Sequence, residues 1–164
     1  MISVRRIERG EGQLFKQIRL TALRDSPSAF TSTYESAVNR SAASWREQAN
    51  GTAQGSNRAT FIAFSDDLPI GIAALYRDED RMELGEVLQV WVAPAFRGKG
   101  VAQKIFDAVF QWAGENSFRT ILVRITKGNE RALQFYRKYG FKDLDPAAID
   151  NAGDWVLLKS VNIQ

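Results

Sequence analysis

Between Trp91 and Phe106 the chain reads WVAPAFRGKGVAQKIF. An apolar strand runs into Pro94, and a helix then begins through Gly98 and Gly100, with Arg97 and Lys99 beside them. A helix that starts here leaves its first N–H groups without intrahelical partners, and a glycine lets a ligand approach the backbone because no Cβ intervenes. The helix N-terminus also carries partial positive charge, so the turn suits a pyrophosphate. A tight turn with two solvated cations fits the same six residues. Two familiar phosphate motifs do not fit. The P-loop requires Ser or Thr after its lysine, where this chain has GKGV, and the dinucleotide fingerprint requires a third glycine, where Gln103 stands.

Around this turn the pattern alternates strands and helices. A short strand is expected at residues 2 to 7 and a helix from Gly12 to Arg24, stopped by Asp25-Ser26-Pro27. A second helix is expected from Glu35 to Gln48, and the polar stretch Asn50 to Ala59 reads as a loop. Thr60 to Phe64 and Ile70 to Tyr76 predict a hairpin, followed by a charged turn and a strand from Glu83 to Val92. Val101, Ile105, Val109 and Trp112 share a helical face closing near Gly114. Thr120 to Ile125 is a strand, and Asn129 to Tyr139 a helix with Gly140 as its cap. FKDL, a proline-containing loop and WVLLKSV finish the chain. The order predicts an α+β domain spanning residues 1 to 164 with a mixed sheet.

Composition narrows the chemistry. The 164 residues include no Cys and no His, which excludes thiol nucleophiles, Cys/His zinc sites and Ser-His-Asp triads. No metal is expected. Lys and Arg exceed Asp and Glu by only three charges, scattered along the chain, so nucleic acid is not indicated. MISVRRIERGEG lacks the apolar core of a signal peptide, and no apolar run approaches membrane-spanning length, so a cytoplasmic protein with no membrane partner is expected.

VWVAPAFRGKGVAQKIF resembles the acetyl-CoA-binding motif of the GNAT superfamily of N-acetyltransferases, Arg/Gln-x-x-Gly-x-Gly/Ala, met here by Arg97, Gly100 and Ala102. NERALQFYRKYGF, Asn129 to Phe141, resembles the second cofactor motif of that family, and RLTALRDSPSAF, Arg19 to Phe30, looks like the opening of many bacterial members. The resemblance implies a mixed, mostly antiparallel sheet of six to seven strands with helices on both faces, in which a splayed pair of strands, Glu83 to Val92 and Thr120 to Ile125, holds the pantetheine arm. Backbone groups of Val90, Trp91 and Val92 would pair with its amides. Arg97, Gly98, Lys99, Gly100, Val101 and Ala102 would hold the pyrophosphate of coenzyme A. Asn129, Ala132, Phe135 and Tyr136 would supply the second motif's contacts.

Amide formation from a thioester requires a neutral amine, and a lysine-type amine has a pKa near ~10.4. With no His, Glu83 and Glu86 are the candidate bases. Glu86 shares strand parity with Leu88, Val90 and Val92, a count that a bulge would break. Both are equally readable as exposed strand ends. The family usually supplies a tyrosine to protonate the departing thiolate, and Tyr136 holds that position; periodicity alone would make it a core aromatic, and Phe135 is read as the packing residue. Asn129 also suits a helix cap. Arg124 points either to solvent or to the acceptor.

The reading is transfer of acetyl from acetyl-CoA to a primary amine by direct attack in a ternary complex. Acceptor walls are expected from about Arg19 to Trp45 and near Tyr76 and Asp154, where Arg19, Arg24, Glu35, Arg40 and Arg46 leave small molecules, amino acids and peptides open. A homodimer is left open. The rival reading is a non-catalytic coenzyme A sensor or interaction module, which keeps Arg97 to Ala102 but has no need of Tyr136 or a carboxylate.

Overall fold

Ser41 falls inside the stretch Glu35 to Gln48 that the sequence reads as one helix, and Thr33 lies just ahead of it. In the computed structural model, which describes residues 1–30, 32–144 and 153–162, each caps a separate segment. Thr33 Oγ1 accepts from the N–H of Ser36 at the head of α2, Tyr34–Val38, and Ser41 Oγ accepts from the N–H of Ser44 at the head of α3, Ala42–Thr52. A hydroxyl that binds the N–H two or three residues ahead starts a helix rather than continuing one. The expected helix over Glu35 to Gln48 is therefore two helices, the second reaching into the expected loop.

The remaining elements are β1 (Ile2–Arg6), α1 (Gly12–Asp25), β2 (Arg58–Ser65), β3 (Leu68–Arg77), β4 (Leu84–Val92), α4 (Val101–Glu115), β5 (Thr120–Ile125), α5 (Glu130–Tyr139), β6 (Lys142–Asp143) and β7 (Trp155–Ser160). The seven strands are ordered β1-β2-β3-β4-β5-β7-β6, a mixed α/β architecture. The proline-containing loop expected before β7 lies outside the described residues. The chain forms two compact units, one of Met1–Tyr76 with Leu88–Val109 and one of Arg77–Val87 with Phe110–Gln164, so β4 and α4 each contribute to both.

In the first unit, β1 and β3 flank β2 in antiparallel pairing. One sheet face carries Ile62, Phe64 and Ile72 against Phe15, Ile18 and Leu23 of α1 and Trp45 and Ala49 of α3. Phe15 and Trp45 meet edge to face, with ring centroids 5.5 Å apart, a geometry worth roughly 0.5–1.5 kcal/mol beyond area burial. The other face receives α4. A Cβ on Gly71 of β3 would lie 2.9 Å from Ile105 Cδ1 and 3.2 Å from the carbonyl oxygen of Trp91, so only glycine lets the helix seat there.

The second unit is built on β5, which pairs antiparallel with β7 from Thr120↔Ser160 to Ile125↔Trp155. β4 joins β5 in parallel through Leu84↔Thr120, Gly85↔Ile121 and Glu86↔Leu122. The core here includes an aromatic group around α5. Tyr136 packs edge to face on both Phe135 and Phe141, each at 5.4 Å, and Phe110 stands 5.8 Å from Phe141. Gly140, with φ 116°, turns the chain out of α5 so that Phe141 can return onto it, the Phe141 N–H donating to the Tyr136 carbonyl at 2.9 Å.

Candidate active site

The site residues of the first unit begin on β4. Gln89 adopts φ 61°, the left-handed region that a non-glycine residue enters only where the surrounding structure holds it. The extended backbone of the strand is interrupted there, between Glu86 and Val90, while Glu86, Val90 and Val92 are all half-buried. Gln89 Oε1 is also shielded from solvent without a hydrogen-bond partner. A polar residue inside the apolar run of VLQVWV was the available signal, and the sequence reading passed over it.

Beyond β4 the chain makes the turn that opens the sequence argument. Gly98 and Gly100 have φ 77° and 81°, and a Cβ built on either meets no atom within 4 Å. The space beside the backbone is open, and the conformation excludes most side chains. The first helical bond of α4 that leaves the turn runs from Lys104 N–H to Gly100 carbonyl at 3.1 Å, so the N–H groups ahead of it belong to the helix's unpartnered first turn. Val101 is buried and Ala102 half-buried, which leaves their backbone as the part available to a ligand.

Arg97 is tied inward. Its Nε donates to the Val92 carbonyl at 2.9 Å and its Nη2 to Asp25 Oδ2 at 2.7 Å. The same carboxylate accepts from Trp91 Nε1 at 3.0 Å and from Ser26 Oγ at 2.8 Å. These bonds, the one from Trp91 foremost, hold the Asp25 carboxyl below the usual aspartate range. Trp91 is buried in the core, so its side chain serves the scaffold. Asp25, read in the sequence only as part of a helix stop, joins α1 to β4 and to the glycine turn. Lys99 is exposed, its Nζ 5.6 Å from the Phe96 ring centroid.

In the second unit, Glu86 is ion-paired with Arg124 of β5, which gives that arginine a partner the sequence did not indicate. Glu83 precedes β4 with an exposed side chain, and its carbonyl accepts from the N–H groups of Arg119 and Thr120 at 2.8 and 3.1 Å. Asn129 caps α5, its Oδ1 accepting from Ala132 N–H at 3.2 Å. Tyr136 is 7% exposed, and Phe135, read in the sequence as the packing residue, is half-buried. Burial raises the Tyr136 phenol above its ordinary pKa, which keeps it protonated as a donor. Among the described residues no cluster of His, Cys, Asp and Glu is arranged to hold a metal, and no helix is long and apolar enough to cross a membrane.

The sequence profile of the Acetyltransferase (GNAT) family matches residues 20–141, and the chain belongs to that family. An uncharacterized N-acetyltransferase of Mycobacterium tuberculosis (strain CDC 1551 / Oshkosh) is 31% identical over 85 residues, 52% of this chain and 53% of that protein. A mycothiol acetyltransferase of Propionibacterium freudenreichii subsp. shermanii is 30% identical over 109 residues, 66% of this chain and 33% of that protein. The chain spans about half the length, or less, of the curated relatives it matches. In structure it is similar to a GNAT-family acetyltransferase of Streptococcus pneumoniae, with TM-score 0.79 at 18% identity, covering 98% of this chain and 99% of that one. It is similar also to PaiA N-acetyltransferase of Thermoplasma acidophilum in complex with coenzyme A, with TM-score 0.75 at 14% identity over 98% and 99% of the two chains. At these identities the structural likeness establishes the fold.

Proposed function

We propose that the chain acts as one acetyltransferase domain, moving the acetyl group of acetyl-CoA to a primary amine by direct attack in a ternary complex. The observation that carries the proposal is the glycine turn before α4: two left-handed glycines with open space at their Cβ positions, set at the N-terminus of the helix. Backbone N–H groups from Gly98 to Ala102 bind the pyrophosphate, and Lys99 adds a mobile cation. Arg97 acts mainly as the tie that fixes the turn, since two of its nitrogens are engaged by Val92 and Asp25. The Val92 carbonyl is taken by the same arginine, which favours Val90 as the backbone partner of the pantetheine amides.

In the transfer, the amine lone pair forms the new C–N bond at the thioester carbonyl, and the C–S bond breaks. The thiolate receives a proton from the Tyr136 hydroxyl, which burial keeps protonated. The amine's surplus proton leaves to Glu86 through water, with Glu83 or solvent as the other acceptors. Asn129 fixes the start of α5, and Ala132 and Phe135 line the cofactor side of that helix. This chemistry requires no metal, nucleic acid or membrane and suits the cytoplasmic setting expected from the sequence.

Two observations favour the rival, a non-catalytic coenzyme A sensor. Tyr136 packs within an aromatic cluster, and Glu86 is engaged by Arg124. Thiol release from acetyl-CoA in the presence of a broad amine panel separates the readings. The enzyme gives amine-stimulated release, and the sensor binds coenzyme A tightly with none.

A further inference from the structure

Arg19 lies on α1, 6% exposed, and its Nη1 is shielded from solvent without a hydrogen-bond partner. It makes no ion pair among the described residues; its guanidinium rests 4.9 Å from the Phe30 ring centroid. Arg40 stands close enough to depress it electrostatically. Among the described residues Arg40 itself bonds only neutral groups, Ser44 Oγ at 2.9 Å, the Ser44 carbonyl at 3.2 Å and Gln48 Oε1 at 2.8 Å, and lies over the Trp45 ring at 3.8 Å. Tyr76 neighbours both guanidinium groups and accepts from Gln48 Nε2 at 3.4 Å.

A buried cation is ordinarily paired with an acid, because its lost hydration is otherwise uncompensated. Here two guanidinium groups share one cluster with no carboxylate among the described residues. The acids of the same segment do not supply one: Asp25 is engaged with Trp91 and Arg97, and Glu35 and Glu47 are exposed. Burial foremost, then the charge of Arg40, pushes Arg19 down to about 10. The cluster therefore lacks an anion. Arg19 also lies six residues before Asp25 on α1, about 9 Å along the helix axis, and Asp25 holds the turn assigned to the cofactor.

We propose that Arg19 and Arg40 form a carboxylate-binding site that selects as acceptor an amine bearing a free carboxylate, of the amino-acid class. The proposal deepens the acetyltransferase reading and rests on it for the identity of the ligand as acceptor. Planar guanidinium groups suit a carboxylate because they bind it through two parallel N–H bonds, and Arg19, already stripped of water, loses little more on binding it.

The test is calorimetric, so that it does not depend on turnover. The full chain saturated with coenzyme A is titrated with a panel of N-acetyl-L-amino acids and their matching carboxamides. At least one carboxylate is expected to bind tenfold or more tightly than its carboxamide, with that ratio falling to within twofold of unity in Arg19→Met and Arg40→Met. Arg19→Met is also expected to melt at a higher temperature than the parent, because an apolar isostere replaces an unpaired buried cation. Equal binding of carboxylates and carboxamides, no binding of either, or a lower melting temperature for Arg19→Met overturns the proposal. So does a loss of coenzyme A affinity in Arg19→Met, which would give the cluster to a cofactor phosphate. Carboxylate-selective binding without thiol release from any amine would instead overturn the catalytic reading and leave the site standing.

Discussion

Asp25 and Arg97, separated by 72 positions in the chain, form an ion pair at 2.7 Å that ties the end of α1 to the turn before α4. Trp91 donates to the same carboxylate oxygen, so one acid organises a helix, a strand and a glycine turn. Asp25→Asn weakens both links. Coenzyme A affinity is expected to fall several-fold by calorimetry, and Arg97→Ala to fall similarly, with the double variant little worse than either single one. Full additivity of the two losses would show that they act separately.

The same pair carries a pH signature. The Asp25 carboxyl is depressed in the folded state, so its contribution to stability is present above the unfolded value of about 3.9 and is lost as pH falls through the folded value. Thermal melts from pH 6 down to pH 3 should therefore show a steeper decline below about pH 4 for the parent than for Asp25→Asn. Parallel declines would contradict this.

Gly100→Val tests the turn. At φ 81° a β-branched residue is strained by roughly 1–3 kcal/mol, although no neighbour obstructs its Cβ. A valine both strains the turn and fills the space offered to the pyrophosphate. Coenzyme A affinity should drop by about tenfold or more in a variant whose circular dichroism still shows the folded state. Retained affinity would move the pyrophosphate elsewhere.

Tyr136→Phe and Glu86→Gln test the two proton transfers. Removing the hydroxyl is expected to lower turnover about 10²-fold with coenzyme A affinity unchanged, whereas a packing role leaves turnover near that of the parent. Glu86→Gln is expected to lower turnover at pH 7 by about 10², with Glu83→Gln near the parent because its side chain is exposed. The reverse ranking would make Glu83 the acceptor of the amine proton.

Local pattern made much of the fold legible. TILVRI is β5 at the expected residues, and the N-x-x-A spacing that marks the second motif also caps α5 through Asn129 and Ala132. The break between α2 and α3 was missed because it rests on single side chains: the hydroxyls of Thr33 and Ser41 decide where each helix starts. The site was legible where it rests on a local backbone device, as at Gly98 and Gly100. It was not legible where distant residues meet. Nothing near Arg97 indicates that Asp25 will engage it, nothing near Arg124 indicates Glu86, and alternation along β4 cannot register the left-handed Gln89. Phe135 and Tyr136 are adjacent aromatics, and tertiary packing, including that of Phe141 onto Tyr136, decides which is buried.

The central claim is acetyl transfer to an amine, and the most direct measurement is free-thiol release by the purified protein with acetyl-CoA and a broad panel of primary amines, with mass spectrometry of the products. The account predicts amine-stimulated release matched one to one by an N-acetylated product, reduced about 10²-fold in Tyr136→Phe. Tight binding of coenzyme A with no stimulated release from any amine would contradict it and identify the protein as a coenzyme A sensor.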